Sequence, residues 1–75
     1  MELSSINEIL MRRGVMYIED DIEEIAVRLS YEDGNLKVYA KRHGRKEKKT
    51  ETNVEVVYNA LIQGKSISKQ KYDKY

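Results

Sequence analysis

The stretch EIAVRLSYEDGNLKVYAK at residues 24–41 decides the fold. Apolar and polar residues alternate on both sides of Asp33-Gly34, which is the pattern of strands with one buried face. Asp-Gly between two such runs is a strong signal for a tight hairpin, because this turn needs a positive φ at both central residues. The predicted register pairs Tyr31 with Leu36, Leu29 with Val38 and Val27 with Ala40 on one face, and Arg28 with Tyr39 and Glu24 with His43 on the other.

The residues before the hairpin predict a helix. Apolar side chains recur at three- and four-residue intervals at Leu3, Ile6, Ile9 and Leu10. Ser5 and Glu8 have the spacing of a capping box, and Gly14 suits the end of a helix. We therefore expect a helix at about residues 5–13.

A second helix is predicted after the hairpin. Its apolar face consists of Val54, Val57, Tyr58, Leu61 and Ile62. Thr52 and Glu55 form another capping box, and Gly64 ends the segment. The valines at 54, 56 and 57 suit a strand equally well, so the pattern leaves helix and strand open for residues 54–58.

Together these elements predict an α+β domain in the order α-β-β-β-α, with a three-stranded antiparallel sheet and both helices packed on one face. The first strand covers residues 15–19 and ends at a turn at Asp20-Asp21. The compact domain is expected to span residues 1–64. Residues 65–75 are interpreted as a basic C-terminal tail, either frayed or docked as a short turn with Ser68 as its cap.

Composition excludes several classes of protein. The chain has 75 residues, no cysteine and one histidine, so we expect one domain without disulfides, a thiolate metal site or a bound cofactor. No apolar run approaches the roughly 20 residues that span a bilayer, and the first residues are polar, which predicts a cytoplasmic protein.

No arrangement of residues predicts catalysis. His43 has no evident serine or cysteine to activate, and the four glycines stand singly at the ends of elements. The acids at 20, 21, 23 and 24 could be imagined as a magnesium site, but adjacent acids in a turn are usually a solvated loop. We therefore expect a protein that is not an enzyme.

Charge is divided along the chain. Residues 1–34 hold nine acidic and three basic residues, whereas residues 35–75 hold eleven basic and four acidic ones, although the formal net charge is only +1. One interpretation is that the two halves face each other and neutralise within the fold. The other is a basic surface for a polyanion.

The densest positive segment is the basic run KRHGRKEKK at residues 41–49. Its predicted phosphate-binding residues are Lys41, Arg42, Arg45, Lys46, Lys48 and Lys49. The solvent face of the hairpin extends this surface with Arg28, Lys37 and Tyr39, and the tyrosine could stack on a base or a sugar. The alternative is that lysines on a sheet edge only prevent aggregation.

The order of helix, three strands, basic loop and helix resembles the double-stranded RNA-binding domain. Ile6-Asn7-Glu8 to Gly14 is similar to that family's first helix, and Lys48 and Lys49 stand near the lysines of its second helix. The resemblance implies that Glu8 helps to contact the minor groove and that the two lysines contact phosphates. The same order also resembles small phage-encoded inhibitors, including some anti-CRISPR proteins.

The sequence therefore predicts a non-enzymatic nucleic-acid-binding module that prefers a duplex of RNA or DNA. The alternative is a protein-interaction module. It would be a small phage or mobile-element inhibitor of a host nucleic-acid enzyme, or a small protein that forms a homodimer.

Overall fold

The computed structural model describes residues 3–75, with side chains from Ser5 onward. The elements are α1 (Leu3–Arg13), β1 (Val15–Asp20), β2 (Ile25–Glu32), β3 (Asn35–Lys41), β4 (Lys48–Thr50), α2 (Glu55–Gln63), β5 (Lys65–Ile67) and α3 (Lys69–Asp73). All strand pairs are antiparallel, and the order in the sheet is β4-β3-β2-β1-β5. The α+β class with an antiparallel sheet is confirmed, but the predicted three strands are wrong because the sheet has five.

The β2–β3 hairpin has the predicted register from Tyr31–Leu36 to Val27–Ala40. Its turn residues Asp33 and Gly34 have φ values of 55° and 77°, as the tight turn requires. The predicted pair of Glu24 and His43 is wrong, because the ladder ends two residues earlier on each strand, at Ala26 and Lys41.

Helix α1 already includes Leu3, so the predicted cap Ser5 lies inside the helix and the Ser5–Glu8 capping box is wrong. Leu3 is predicted to lie on the apolar face of this helix, but its side chain is outside the described part of the structure. Gly14 ends the helix as predicted, with a φ of 75° and an amide that donates to the Leu10 carbonyl at 2.8 Å. Strand β1 starts at the next residue.

Residues 55–63 form the helix α2, which settles the choice between helix and strand for most of residues 54–58. Its N-cap is Val54, whose side chain makes no capping hydrogen bond, so the predicted Thr52–Glu55 capping box is wrong. The physical reason lies upstream: residues 48–50 pair with β3, and the chain then turns, with the Val54 amide donating to the Glu51 carbonyl at 3.3 Å. The helix can begin only after that turn.

Helices α1 and α2 pack on the same face of the sheet. Ile6 and Leu10 from α1 join Val57 and Leu61 from α2 in one buried cluster. The strands contribute side chains that lie on one face of the pleat: Met16, Ile18, Ile25, Val27, Leu29 and Val38. This cluster is the main core.

The C-terminal segment, residues 65–75, was predicted as a tail outside the compact domain. In the structure it forms β5, which pairs with β1, and α3, which packs on the other face of the sheet. Ser68 caps α3 by accepting a hydrogen bond from the Lys71 amide at 3.1 Å. Tyr72 and Tyr75 are buried against Ala26, which forms a second small core.

Gly64 joins α2 to β5 where the backbone passes close to β1. A Cβ at this position would lie 2.6 Å from Ile18 Cγ2 and 2.8 Å from the Glu19 carbonyl, and also against the Ala60 carbonyl. We expect Gly64→Ala to lower the free energy of unfolding by about 3 kcal/mol, because two of these neighbours are backbone atoms that cannot turn away.

Urea unfolding followed by circular dichroism measures this effect, and Gly34→Ala is the matched control. Gly34 has a φ of 77°, but nothing lies within 4 Å of a Cβ added there. Gly34→Ala should therefore lower the free energy of unfolding by only about 1 kcal/mol, which is the cost of the backbone conformation. Equal losses at the two glycines would show that close approach at Gly64 is not the cause.

Candidate nucleic-acid interface

An open groove of about 760 Å³, here called the basic groove, lies between the β3–β4 loop (residues 42–47) and α2. Its apolar lining comes from Ile25, Ala40, Val56 and Val57. Its positive lining comes from all six predicted residues of the basic run: Lys41, Arg42, Arg45, Lys46, Lys48 and Lys49. The fold therefore brings these cations together around one depression.

Four of the six cations are free to bind a ligand. Arg45, Lys46, Lys48 and Lys49 are exposed, and within residues 3–75 their side chains make no hydrogen bond or ion pair. Their charges are therefore not neutralised by close acidic partners. This leaves a positive rim on the groove.

The other two cations hold the fold together. The Arg42 guanidinium donates to the backbone carbonyls of Glu23 and Glu24, which connects the β3–β4 loop to the β1–β2 loop. Lys41 Nζ donates to the Asp73 carbonyl at 3.3 Å and lies 4.5 Å from the ring centre of Tyr72. Both side chains are occupied in the free protein.

The predicted hairpin residues lie on the other face of the sheet, away from α2. The Arg28 guanidinium sits 4.0 Å from the ring centre of Tyr39, as the register predicted. The guanidinium therefore covers one face of the Tyr39 ring. Tyr39 is half-buried, and its hydroxyl donates to Glu32 at 3.4 Å. Among the described residues Lys37 has no side-chain partner and extends this face.

The β3–β4 loop forms a ridge between two depressions. A smaller groove of about 350 Å³ lies on the α3 side, and Lys41, Arg45 and Lys46 line both grooves. On β4, Lys48 pairs with Ala40 and Lys49 with Tyr39, so the two lysines alternate between the faces. The free cations can therefore contact a ligand on either side of the ridge.

Glu47 is the functional candidate that the sequence reasoning missed. Its carboxylate accepts hydrogen bonds from Arg28 Nη2 at 2.6 Å and from the Tyr72 hydroxyl at 2.6 Å. The hydrogen bond from Arg28 lowers the pKa of the Glu47 carboxyl, while burial and then the bond to Glu47 raise the pKa of Tyr72. The only signal in the sequence was that Glu47 is the single acid in the basic run.

The acidic half of the chain does not neutralise the β3–β4 loop. Besides the Arg28–Glu47 pair, ion pairs between the two halves join Lys65 to Asp21 at 3.9 Å and Lys71 to Glu19 at 3.3 Å. Both lysines belong to the C-terminal segment. In the part of the chain that the structure describes, no acid of residues 3–34 pairs with residues 42–49.

Among the acids at 20, 21, 23 and 24, Asp20 has a structural role. Asp20 is 1% exposed, and its Oδ1 accepts from the Ile22 amide at 3.0 Å while its Oδ2 accepts from Gln63 Nε2 at 2.8 Å. It fixes the loop and ties it to the end of α2. Residues 3–75 contain no group of three acidic or histidine side chains arranged to hold a metal ion.

The contacts of Glu47 predict a loss of stability in acid. Because its pKa is lowered in the folded state, its contribution is fully present above its unfolded pKa of about 4.3 and is lost as pH falls through the folded value. We expect the stability difference between wild type and Glu47→Gln to shrink as pH falls from 7 to 3, measured by urea unfolding. Glu51→Gln is the control, and a Glu47 difference that does not change with pH would contradict this account.

The chain matches no protein-family model, and no curated protein or solved structure matches it at a significant level. None of the helices within residues 3–75 is long and apolar enough to cross a membrane. The function is therefore inferred from the residues and their geometry.

Proposed function

We propose that this protein is a nucleic-acid-binding module that holds the phosphate backbone of a duplex on the β3–β4 loop and the basic groove. The observation that carries the proposal is the set of four exposed cations without partners in the described chain: Arg45, Lys46, Lys48 and Lys49. Clustered Lys and Arg side chains on one surface supply most of the affinity of proteins for nucleic acid.

A duplex fits this surface better than a single strand. Proteins that bind single strands usually offer aromatic rings on which the bases stack. Among the described residues no aromatic side chain lines the basic groove, and the half-exposed Tyr31 and Tyr58 lie elsewhere, on the α1/α2 face near the far end of the hairpin. Contacts to phosphates alone suit a duplex, whose bases are already stacked and paired.

A protein partner is the second candidate function. The β1–β2 loop presents Ile22, which is 77% exposed, between the acidic residues Asp21 and Glu24. An exposed aliphatic side chain flanked by negative charges would suit a basic protein surface with an apolar pocket. None of residues 21–24 lines the basic groove, so the two functions can be tested independently.

Fluorescence anisotropy tests the proposed function. Labelled double-stranded RNA, double-stranded DNA and single strands are titrated with the protein at several salt concentrations. We expect micromolar or tighter binding to one duplex, with a log–log salt slope that corresponds to about three to six phosphate contacts. Absence of binding to every nucleic acid at low salt would overturn the proposal.

A further inference from the structure

We propose that Glu47 is a positioning residue that, together with the C-terminal segment, holds the β3–β4 loop in the shape that binds the duplex. This inference rests on the proposed function. It assigns to the single acid of the basic run a role opposite to the one that its charge suggests.

The C-terminal segment contacts the loop at its middle and at its end. At the end of the loop, Glu47 accepts from the Tyr72 hydroxyl. In the middle, the Gly44 amide donates to the Tyr75 carbonyl at 2.9 Å, and the His43 ring stacks on the Tyr75 ring at 3.7 Å between centres. Just before the loop, Lys41 donates to the backbone of the segment. These contacts fix where the loop lies on the sheet.

Glu47 also ties the loop to the sheet itself. It accepts two hydrogen bonds from Arg28, whose guanidinium is held in turn over the Tyr39 ring. The residue therefore joins the loop to both β2 and α3. Such a charge-assisted pair of hydrogen bonds with fixed geometry positions the backbone more strongly than a single neutral bond does.

Apart from these ties and the contacts of Arg42 with the β1–β2 loop, the β3–β4 loop has little to order it. Residues 42–47 are exposed, and none of them belongs to either buried cluster. A flexible loop loses conformational entropy when it binds, and this loss lowers its affinity. A loop that is already ordered in the free protein avoids this loss. The predicted effect of losing Glu47 is therefore a weaker interface despite the gain in positive charge.

Comparing Glu47→Gln with Glu51→Gln distinguishes an effect of charge from an effect of loop position, because the two effects change the duplex affinity of Glu47→Gln in opposite directions. Both variants remove one negative charge near the free cations, but the Glu51 side chain is exposed and has no partner among residues 3–75. By charge alone, both should bind the duplex more tightly. If Glu47 positions the loop, Glu47→Gln should bind roughly five- to tenfold more weakly than wild type, and Glu51→Gln slightly more tightly.

Tyr72→Phe tests the same contact without changing charge. It removes the hydrogen bond to Glu47 while leaving the ring, which lies 5.0 Å from Tyr17 between centres. We expect weaker duplex binding, and the double variant with Glu47→Gln should lose less than the sum of the two single losses because both act through one contact. Tyr58→Phe, at an exposed ring away from the loop, is the control and should bind as wild type.

Amide hydrogen exchange of the free protein separates this inference from the proposed function. In Glu47→Gln the Gly44 and Arg45 amides should exchange faster, while the amides of β2 stay protected. A Glu47→Gln variant that binds as tightly as Glu51→Gln would overturn the positioning role and leave the proposed function intact. If wild type binds no duplex, the proposed function falls, and unchanged exchange in Glu47→Gln would then refute the ordering role as well.

Discussion

Replacing Lys46, Lys48 and Lys49 by glutamate is expected to weaken duplex binding by at least about 100-fold at moderate salt. These three side chains are exposed and have no partner in the described chain, so the change removes phosphate contacts and adds repulsion without breaking a contact of the fold. The measurement is fluorescence anisotropy, with circular dichroism to show that the variant is folded. Wild-type affinity in this variant would show that the cations on the groove are not the binding site.

A milder pair of variants separates position from net charge. Changing the same three lysines to glutamine should lower the salt slope by about three, since each lost phosphate contact removes about one. The matched control changes Arg12, Arg13 and Lys65 to glutamine, which removes the same charge at the end of α1 and on the opposite edge of the sheet. Equal losses in the two triple variants would mean that only the total charge matters.

The protein-partner function predicts a different sensitive surface. Changing Asp21, Glu23 and Glu24 to lysine would reverse the exposed part of the β1–β2 loop and should leave duplex binding unchanged or slightly tighter. Glu19 and Asp20 are unsuitable for such a reversal because both are buried, and Asp20 holds the loop through its hydrogen bonds. Loss of duplex binding in this variant would contradict the assignment of the site to the basic groove.

The central hairpin was predictable because its determinants are local. The alternating pattern and the Asp33-Gly34 turn fix the register of β2 and β3 without reference to the rest of the chain. The contact of Arg28 with Tyr39 follows from that register, and the structure confirms it. The helical spacing and the glycines at 14 and 64 also placed the carboxyl-terminal ends of α1 and α2 correctly.

The elements that were missed depend on contacts distant in sequence. Strands β4 and β5 are three residues each and largely polar, so their only signal is the strand beside which they lie. Helix α3 has five residues and is stable because Tyr72 fits against Ala26 and Tyr17. The capping box of α2 failed for the same reason, because the pairing of β4 with β3 and the turn after it decide where that helix begins.

The residues of the binding surface were predictable from the sequence, but their spatial arrangement was not. The density of Lys and Arg in residues 41–49 identified the positive segment. Which of those side chains are free depended on the Asp73 and Glu23 carbonyls, which engage Lys41 and Arg42 from elements far along the chain. The role of Glu47 was hidden in the same way, because its partners Arg28 and Tyr72 lie 19 and 25 residues away.

Removing residues 65–75 is expected to lower the free energy of unfolding by at least about 4 kcal/mol, since burial of an aromatic side chain contributes about 2–3 kcal/mol and two tyrosines would be lost. Tyr72 and Tyr75 are only 3% and 8% exposed, and their loss would uncover Ala26. The deletion would also free the edge of β1 that pairs with β5. Because the core of a domain of fewer than about 80 residues rarely supplies more than about 3–5 kcal/mol in total, the 1–64 fragment should be largely unfolded, which circular dichroism and urea unfolding would show.

The matched control separates packing from charge. The full-length protein with Lys65, Lys69 and Lys74 changed to glutamine loses the same net charge as the deletion but keeps both tyrosines. The two ion pairs that it loses, Lys65–Asp21 and Lys69–Asp73, are exposed on both sides, so we expect its thermal midpoint to stay within about 3 °C of wild type. If the 1–64 fragment instead unfolds cooperatively with wild-type stability, the C-terminal segment is dispensable for the fold, and its contacts with the β3–β4 loop would be its only function.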